Sequence, residues 1–241
     1  MREQEDAFGR ALLDELERGG ARIVVERDDG YVENETIAWY FGGLRRWHPS
    51  ERKALRHVRG RVLDIGAGAG RAALELQKRG HEVVAIDISP LAIDVCRKRG
   101  VRDARVLPVT KIDSSLGAFD TVALFGNNFG LFSTTRRARW LLRRLRSMTT
   151  LEARIIAVSY DPYGTKNPDD LAYFERNRRR GRLGGQIRLR VRYRAYATPW
   201  VDYLMVSLDE MREIVSGTGW EIDEVFTDDN FFVAVIGCAE P

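Results

Sequence analysis

The sequence predicts an α/β fold: a doubly wound, mostly parallel sheet of seven strands in which the last strand runs antiparallel. Three observations support this fold class. From residue 58 to residue 160, short apolar stretches alternate with helical patterns, which is typical of a parallel sheet covered by helices on both faces. The first apolar stretch ends at Asp64 and is followed by three alternating glycines. At the end of the chain, two apolar stretches are separated by a turn so short that the strands must run antiparallel.

The first 57 residues are predicted to form a helix-and-hairpin cap in front of this domain. Apolar residues recur at intervals of three and four after Glu3, and Gly19-Gly20 ends the helix that this pattern predicts. Asp29-Gly30 favours a tight hairpin turn. The cap, 1–57, is therefore predicted to contain a helix over 3–17, strands over 22–26 and 31–33, an aromatic segment over 36–43 and a helix over 50–58.

The main domain, predicted over 58–241, begins with a buried parallel strand that contains Val62, Leu63 and Ile65. The helical pattern over 71–78 turns its alanine and leucine side chains inward. The glycines therefore lie on a strand-to-helix turn, where the absence of a Cβ atom lets a ligand approach the backbone amides. Beyond this turn we predict strands over 82–87, 104–109, 120–125 and 153–159 and helices over 90–99 and 134–148.

A polar, arginine-rich segment over 161–199 interrupts the alternation and is predicted as an insertion on the substrate side of the domain. Within it, arginines alternate with apolar residues from Gln186 to Arg194, which predicts a half-buried strand. Ser207, with Glu210 three residues later, predicts a capped helix start. The elements predicted here are a helix over 169–178, strands over 186–194 and 200–206, a helix over 208–216 and closing strands over 220–226 and 231–236.

Composition narrows the class of protein. Of the 241 residues 44% are apolar, and the net charge of +4 gives by itself no case for a nucleic-acid partner. No apolar run is long enough to span a membrane and the N-terminus is charged, so we expect a cytoplasmic protein without a membrane partner. Cys96 and Cys238 have no CxxC motif or histidine cluster nearby, so we predict neither a metal site nor a disulfide.

A second acidic residue sharpens the interpretation of the glycine turn. Asp87 ends the next apolar strand and lies 17 residues after Gly70, the spacing at which a βαβ nucleotide-binding fold presents a carboxylate to ribose hydroxyls. Asp87 could instead cap the helix that begins near Pro90, but Ser89 is placed to do so. The two strand ends together predict one ligand that contains a ribose.

Asp64, the alternating glycines, Asp87, the Phe119-Asp120 pair before a fourth strand and the antiparallel closing strands together resemble a class I S-adenosylmethionine-dependent methyltransferase. The resemblance covers residues 58–160 and 205–238. It implies a Rossmann-like fold, S-adenosyl-L-methionine as the cofactor and S-adenosyl-L-homocysteine as its product.

The resemblance also implies which residues hold the cofactor. The glycine turn would lie against the methionine and ribose parts, and Asp87 would take both ribose hydroxyls. Ile88 would pack against the adenine, and the loop 110–112 would reach the adenine edge; Asp113 is the alternative, because Lys111 stands where many relatives have an acid. The implied cofactor-binding residues are Tyr40, Asp64, Gly66, Ala67, Gly68, Asp87, Ile88, Thr110, Lys111, Ile112, Phe125, Gly126 and Asn127.

The same resemblance implies that the end of the fourth strand lines the methyl-transfer site. Asn127 and Asn128 are candidates for holding the acceptor, although asparagine beside glycine also favours an ordinary turn. Asp161, after the fifth strand, is the candidate general base, but a residue before proline is equally a turn former. Asn127, Asn128 and Asp161 are thus the predicted catalytic residues.

Aromatic residues from the cap, the loop after the fifth strand and the insertion would roof the methyl group of the cofactor. We predict that they form an acceptor pocket, although aromatic side chains are more often part of a core. Such a pocket favours a small molecule that is methylated at oxygen or nitrogen by in-line displacement. The predicted acceptor-binding residues are Trp39, Tyr160, Tyr163, Tyr196, Trp200 and Tyr203.

Other functions stay open. The arginine-rich tract at 176–194 could bind RNA or DNA, although its alternating pattern favours a sheet with one solvated arginine face. An NAD-dependent oxidoreductase also uses a glycine turn and a ribose-binding acid, but the antiparallel closing strands fit a methyltransferase better. The intact Gly66, Gly68 and Asp87 argue against a non-catalytic binding module. A homodimer that uses an exposed strand of the insertion is also left open.

Overall fold

The computed structural model describes residues 2–239, except for the side chain of Glu3. In this range the helices are α1 (Ala7–Arg18), α2 (Pro49–Ala54), α3 (Arg71–Lys78), α4 (Pro90–Lys98), α5 (Thr135–Arg146), α6 (Pro168–Arg179) and α7 (Leu208–Val215). The strands are β1 (Arg22–Arg27), β2 (Val32–Thr36), β3 (Arg61–Ile65), β4 (Glu82–Asp87), β5 (Asp103–Val106), β6 (Phe119–Leu124), β7 (Thr149–Tyr160), β8 (Gln186–Tyr193), β9 (Tyr196–Ala197), β10 (Val201–Leu204), β11 (Trp220–Asp228) and β12 (Phe231–Cys238).

One sheet has seven strands in the order β11-β12-β7-β6-β3-β4-β5. β4 runs parallel to β5 and β6 runs parallel to β7, whereas β12 is antiparallel to both of its neighbours, β7 and β11. Consecutive residues of β4 and of β7 are buried, as expected for strands that are covered on both faces. The predicted fold class is therefore confirmed.

A second, smaller sheet has the order β10-β8-β1-β2, with β9 paired to β8. β1 and β2 form the predicted antiparallel hairpin, although β2 extends to Thr36, beyond the predicted end. β8, which belongs to the predicted insertion, pairs with β1 over Leu189–Arg192. Because β8 has a neighbouring strand on each side, it is not an edge strand that could pair with a second copy of the chain. A homodimer therefore stays a prediction, and β8 gives it no support.

The chain divides into two compact units. The first contains the residues up to Trp47, with Leu63–Ile112 and Arg188–Val201; the second contains His48–Val62, Asp113–Ile187 and the residues from Asp202 onward. The core of the first unit packs α1 against α4 and the hairpin. The division into a cap at 1–57 and a domain at 58–241 with an insertion at 161–199 stays a prediction, and its outermost positions, 1, 240 and 241, lie outside the described residues.

Several elements are shorter than predicted, among them α1, β5 and the helix predicted over 50–58. α1 begins at Ala7 because the buried side chain of Asp6 accepts the Gly9 amide and caps the helix. β5 ends at Val106, since Pro108 has no amide hydrogen to donate to a ladder and a 3-10 turn follows it. The helix predicted over 50–58 ends at Ala54 and continues as a 3-10 turn.

Candidate functional site

The glycine turn after β3 has a backbone conformation that only glycine adopts without strain. Gly66, Gly68 and Gly70 have φ angles of 75°, 54° and 77°. A Cβ atom on Gly70 would lie 2.7 Å from Cγ2 of Val101, so the site also lacks room for a side chain. The conformation of the turn therefore requires glycine at these positions.

Most backbone amides of this turn already have acceptors within the protein. The amides of Gly66 and Ala67 donate to the carbonyl of Ile86 at 2.9 and 3.0 Å. The Gly70 amide donates to the carbonyl of Ala67 at 2.8 Å, and the Gly68 amide donates to Oδ2 of Asp87 at 3.0 Å. A ligand bound at this turn would therefore pack against the glycine backbone and would not receive hydrogen bonds from these four amides.

Asp87, at the end of β4, joins the turn to the next helix. Its Oδ2 accepts the Gly68 amide and its Oδ1 accepts the Ser89 amide at 2.9 Å. Burial is the largest effect on this carboxyl group and raises its pKa. Each carboxylate oxygen can accept a further hydrogen bond, so Asp87 has the capacity for two ligand hydroxyls.

The loop after Asp87 is held by Asp6, which the sequence analysis missed. Asp6 is 2% exposed, and its carboxylate accepts from Ser89 Oγ at 2.7 and 2.8 Å and from the Leu91 amide at 3.2 Å. Ser89 in turn caps α4, as predicted. An acidic residue at a helix start was the available signal, but nothing local indicates that it reaches a residue 83 positions away.

Asp64 is a buried carboxylate whose hydrogen-bonding capacity is not filled. The residue is 1% exposed, and among the described atoms its Oδ2 has no partner. Burial raises the pKa of Asp64 to about 7, while Arg71 and the Ala73 amide act in the opposite direction. An unpaired buried charge is costly, so a cationic ligand group would fit against this carboxylate.

Tyr40 lies beside the glycine turn. Its Cδ1 atom is 3.6 Å from the position that a Cβ atom on Gly68 would take, and its ring meets that of Phe8 edge to face at 4.9 Å. Burial raises the pKa of the hydroxyl, so it stays protonated. Trp39, the adjacent predicted acceptor-binding residue, is 54% exposed.

The residues that are predicted to contact the adenine differ in their exposure to solvent. The side chain of Ile88 is 49% exposed and available for packing, and Thr110 and Lys111 lie on an exposed 3-10 turn. Ile112 is completely buried and can contribute only its backbone. Asp113, the alternative, belongs to the second unit, where its carboxylate caps a turn by accepting from the amide and hydroxyl of Ser115.

In the second unit, the loop after β6 brings three predicted residues together. Asn127 is left-handed, with φ of 69°, and its Oδ1 accepts the Tyr160 amide at 3.0 Å. The hydroxyl of Tyr203 donates to the Asn127 carbonyl. Phe125 is buried, and Asn128 begins the 3-10 turn that follows.

Asp161 and Tyr163 form a turn at the end of β7. Oδ1 of Asp161 accepts the Tyr163 amide at 2.9 Å, which is the turn-forming role weighed in the sequence analysis. The hydroxyl of Tyr163 donates to Glu210, the capping residue of α7, and burial raises the pKa of Tyr163 to about 12. Roles for Asp161 as a base and for Tyr163 in acceptor binding stay predictions.

The remaining aromatic candidates, Tyr196 and Trp200, lie in the first unit beside the arginine-rich strand. Arg190 forms two hydrogen bonds with Glu26, at 2.9 and 3.0 Å, and its Cζ stacks 4.6 Å from the centroid of Trp200. Arg10 lies over the ring of Tyr196 at 5.2 Å. The arginine-rich strand thus uses its charges, at least in part, for ion pairs inside the protein.

The residues that the structure describes contain neither a membrane-spanning helix nor a cluster of metal-binding side chains. None of their helices is long and apolar enough to cross a membrane. Over the same residues there is no group of three or more histidine, cysteine, aspartate or glutamate side chains that could hold a metal ion.

Comparison with known proteins places this geometry in context. Residues 62–150 match the family model described as a methyltransferase domain. The magnesium-protoporphyrin O-methyltransferase of Rhodobacter capsulatus is 41% identical over 66 residues, which are 26% of this chain and 30% of that protein. The ubiquinone biosynthesis O-methyltransferase of Methylocella silvestris is 35% identical over 80 residues, which are 31% of each chain. The matched stretch therefore spans less than a third of the length of these curated relatives.

A solved structure extends the similarity to the whole chain. The methyltransferase of Bacteroides fragilis, crystallised with S-adenosyl-L-homocysteine, has a TM-score of 0.84 and 26% identity. The alignment covers 100% of this chain and 98% of that chain. The aligned region thus includes the residues of the small sheet and those of the predicted cap and insertion.

Proposed function

We propose that this chain, which belongs to the class I S-adenosylmethionine-dependent methyltransferases, transfers a methyl group from that cofactor to an oxygen or nitrogen atom of a small molecule. The observation that carries the proposal is the Gly68–Asp87 hydrogen bond, which holds a half-buried carboxylate at the glycine turn with lone pairs to spare. Together with the orphaned Oδ2 of Asp64, this arrangement fits a ligand that has both hydroxyl and ammonium groups.

The proposed roles of the residues follow from their environments. Asp87 accepts the ribose hydroxyls, and Asp64 accepts the ammonium group of the methionine part. When bound, the cofactor supplies a methyl group that is activated for displacement by its sulfonium. Asn127 holds the acceptor at the end of β6, and the protein contributes mainly alignment and exclusion of water. S-adenosyl-L-homocysteine is the leaving group, and the acceptor oxygen or nitrogen gives up its proton to water or to a carboxylate, for which Asp161 is the proposed candidate.

The internal hydrogen bonds of the glycine turn argue against the oxidoreductase alternative. Enzymes that bind NAD through such a turn use its free amides and the helix N-terminus to hold the pyrophosphate. Here the amides of Gly66, Ala67, Gly68 and Gly70 donate within the protein. A cofactor without a phosphate group suits this turn better.

Two observations favour a small-molecule acceptor over a nucleic acid. Arg190 and Arg192 share Glu26, and Arg194 pairs with Asp14 at 3.0 Å, so these charges of the tract are already partly neutralised. Two curated relatives are named for magnesium-protoporphyrin and for ubiquinone biosynthesis, whereas a third, from Symbiobacterium thermophilum, is named as a ribosomal protein L11 methyltransferase. The names of the relatives therefore favour a small molecule by two to one. RNA or DNA methylation through the tract at 176–194 is therefore the weaker candidate.

The test combines binding and turnover. We expect S-adenosyl-L-homocysteine, and not NAD, to raise the melting temperature, because a ligand at 100 times its Kd adds about 2.7 kcal/mol to the free energy of unfolding. Labelled S-adenosylmethionine is then incubated with a cell extract that is fractionated into small molecules, RNA and protein. Label in the small-molecule fraction supports the proposal, whereas label only in RNA or protein overturns the acceptor class.

A further inference from the structure

Glu51 is a charged residue in a position that should be apolar. It lies in α2 three and four residues before Ala54 and Leu55, which are fully or almost fully buried, and its own side chain is 1% exposed. A buried carboxylate costs several kcal/mol unless hydrogen bonds satisfy it. The presence of Glu51 on this face therefore calls for a specific partner.

One such partner is the backbone at the end of β6. Oε1 of Glu51 accepts a hydrogen bond from the Gly126 amide at 3.0 Å, across 75 residues of sequence. Gly126 and Asn127 are both left-handed, with φ angles of 66° and 69°. Asparagine adopts the left-handed conformation more easily than most residues, but the conformation still costs free energy. Hydrogen bonds to the residues around Asn127 are therefore needed to maintain it.

The helix that carries Glu51 is itself fixed to the closing strands. The Ser50 amide donates to Oδ2 of Asp228, at the end of β11, at 2.7 Å. The ring of His48, which precedes α2, stacks on that of Phe231 with centroids 4.0 Å apart. α2 is thus anchored at its start, and Glu51 acts from a fixed position.

We propose that Glu51 is a positioning residue for methyl transfer. Its carboxylate fixes the Gly126 amide and thereby keeps Asn127 in the left-handed conformation in which that residue presents its remaining polar atoms to the acceptor. Glu51 touches neither cofactor nor acceptor. The inference rests on the proposed function, because it gives Asn127 its significance.

The test compares Glu51→Gln and Glu51→Ala with Glu213→Ala, which changes an exposed glutamate of α7. The amide oxygen of Gln can still accept from Gly126, whereas Ala cannot. We expect Glu51→Ala to lower the rate of methyl transfer to the small-molecule fraction at least tenfold, with the Kd for S-adenosyl-L-homocysteine within twofold of wild type. Glu51→Gln should recover most of the rate, and Glu213→Ala should retain all of it.

Hydrogen exchange of the Gly126 amide, followed by NMR, separates this proposal from the proposed function. Fast exchange at Gly126 in Glu51→Ala and slow exchange in Glu51→Gln show that the Glu51 carboxylate holds the Gly126 amide. If the wild-type chain transfers no methyl group, this result stands for the contact while the proposed function, and with it the role in methyl transfer, is refuted. Wild-type turnover or unchanged Gly126 exchange in a folded Glu51→Ala variant would overturn the proposal. If Glu51→Ala does not fold, the rate of methyl transfer and the Gly126 exchange are measured on Glu51→Gln instead. A wild-type rate with slow exchange supports the proposal. A lost rate with slow exchange overturns the proposal.

Discussion

The hydroxyl of Tyr203 donates a hydrogen bond to the backbone carbonyl of Asn127 at 2.5 Å. The side chain of Asn127 is held at the same time, because its Oδ1 accepts the Tyr160 amide at 3.0 Å. A left-handed residue is thus constrained through both its main chain and its side chain by two different strands, β10 and β7. Such over-determination is expected where a strained conformation serves the chemistry.

Tyr203→Phe should therefore affect turnover more than folding. Removal of one hydroxyl costs about 1 kcal/mol of unfolding free energy, since a typical intramolecular hydrogen bond contributes that much. We expect a fall of about tenfold in the rate of methyl transfer, equivalent to about 1.4 kcal/mol of barrier. Urea denaturation and the labelled-methyl assay measure the two effects. Tyr31→Phe, in the β1–β2 turn, is the matched control. An equal rate in both variants would show that the hydrogen bond from Tyr203 to Asn127 does not affect turnover.

Gly70→Ala should destabilise the protein more than Gly80→Ala. Both glycines have positive φ, at 77° and 89°, so both variants carry the cost of a left-handed alanine, about 1–2 kcal/mol. Only at Gly70 does the new Cβ meet Val101, at 2.7 Å, whereas nothing lies within 4 Å at Gly80. The crowding should add about 1–3 kcal/mol to the loss at Gly70. Urea midpoints measure the difference, and equal midpoints would show that the turn can relax.

Asp87→Asn should abolish most cofactor affinity while leaving the fold intact. The amide keeps one acceptor oxygen, so either the Gly68 or the Ser89 amide loses its partner, at a cost of about 1–3 kcal/mol of unfolding free energy. The ribose also loses a charged partner, whose hydrogen bonds are worth about 1.5–3 kcal/mol. The Kd for S-adenosyl-L-homocysteine, measured by calorimetry, should rise by about 10- to 100-fold. Asp94→Asn, on the exposed face of α4, should leave it unchanged. Unchanged affinity in Asp87→Asn would remove this residue from the site.

Asp64 should make both stability and binding depend on pH. Its pKa is raised to about 7 in the folded chain, above the value of about 3.9 in an unfolded one, so the folded state binds more protons between these values. The free energy of unfolding without ligand should fall as pH rises from about 4 to about 7. Affinity for S-adenosyl-L-homocysteine should rise over pH 6 to 8, by less than about tenfold per pH unit, because one carboxyl group ionises. Asp64→Asn should make both profiles less steep, and Asp87, whose pKa burial also raises, contributes a remaining slope of the same sign to the stability profile. Unchanged slopes in Asp64→Asn would assign the titration to another group.

Tyr40→Ala should weaken binding without unfolding the chain. The ring lies beside Gly68 and packs edge-on against Phe8, so its removal exposes the glycine turn to water. We expect a rise of about tenfold in the Kd for S-adenosyl-L-homocysteine, equivalent to about 1.4 kcal/mol. Tyr40→Phe, which keeps the ring, should bind like wild type. If circular dichroism shows a folded Tyr40→Ala with unchanged binding and turnover, the proximity of Tyr40 to the turn has no functional role.

Local sequence features predicted the seven-stranded sheet, and they also identified the glycine turn and Asp87, which lie in contact in the structure and form the proposed cofactor site. The glycine turn and Asp87 lie within one βαβ unit, where spacing along the chain fixes position in space. Glu51 shows the limit of such reasoning. A glutamate on the apolar face of a short helix was visible in the sequence, but its partner, Gly126, lies 75 residues away and no local pattern identifies it.

The arginine-rich strand is a second case in which the element could be predicted but its partner in the fold could not. Period-two alternation correctly predicted that residues from Gln186 form a strand. It could not reveal that the partner is β1, because the pairing of Arg190 with Glu26 joins residues 164 positions apart. The acids that neutralise those arginines were equally hidden, which is why the tract resembled a nucleic-acid surface.

The pairing of β1 with β8 also bears on how the chain is made. A ribosome adds about 5–20 residues per second, so roughly ten to thirty seconds separate the synthesis of Glu26 from that of Arg190. During that interval the β1–β2 hairpin is a nascent two-stranded ribbon with an open edge, and such ribbons are marginally stable and prone to wrong pairing. Glu26, which later pairs with Arg190 and Arg192, gives this open strand a charged side chain, and charged side chains on an edge strand disfavour pairing with other strands.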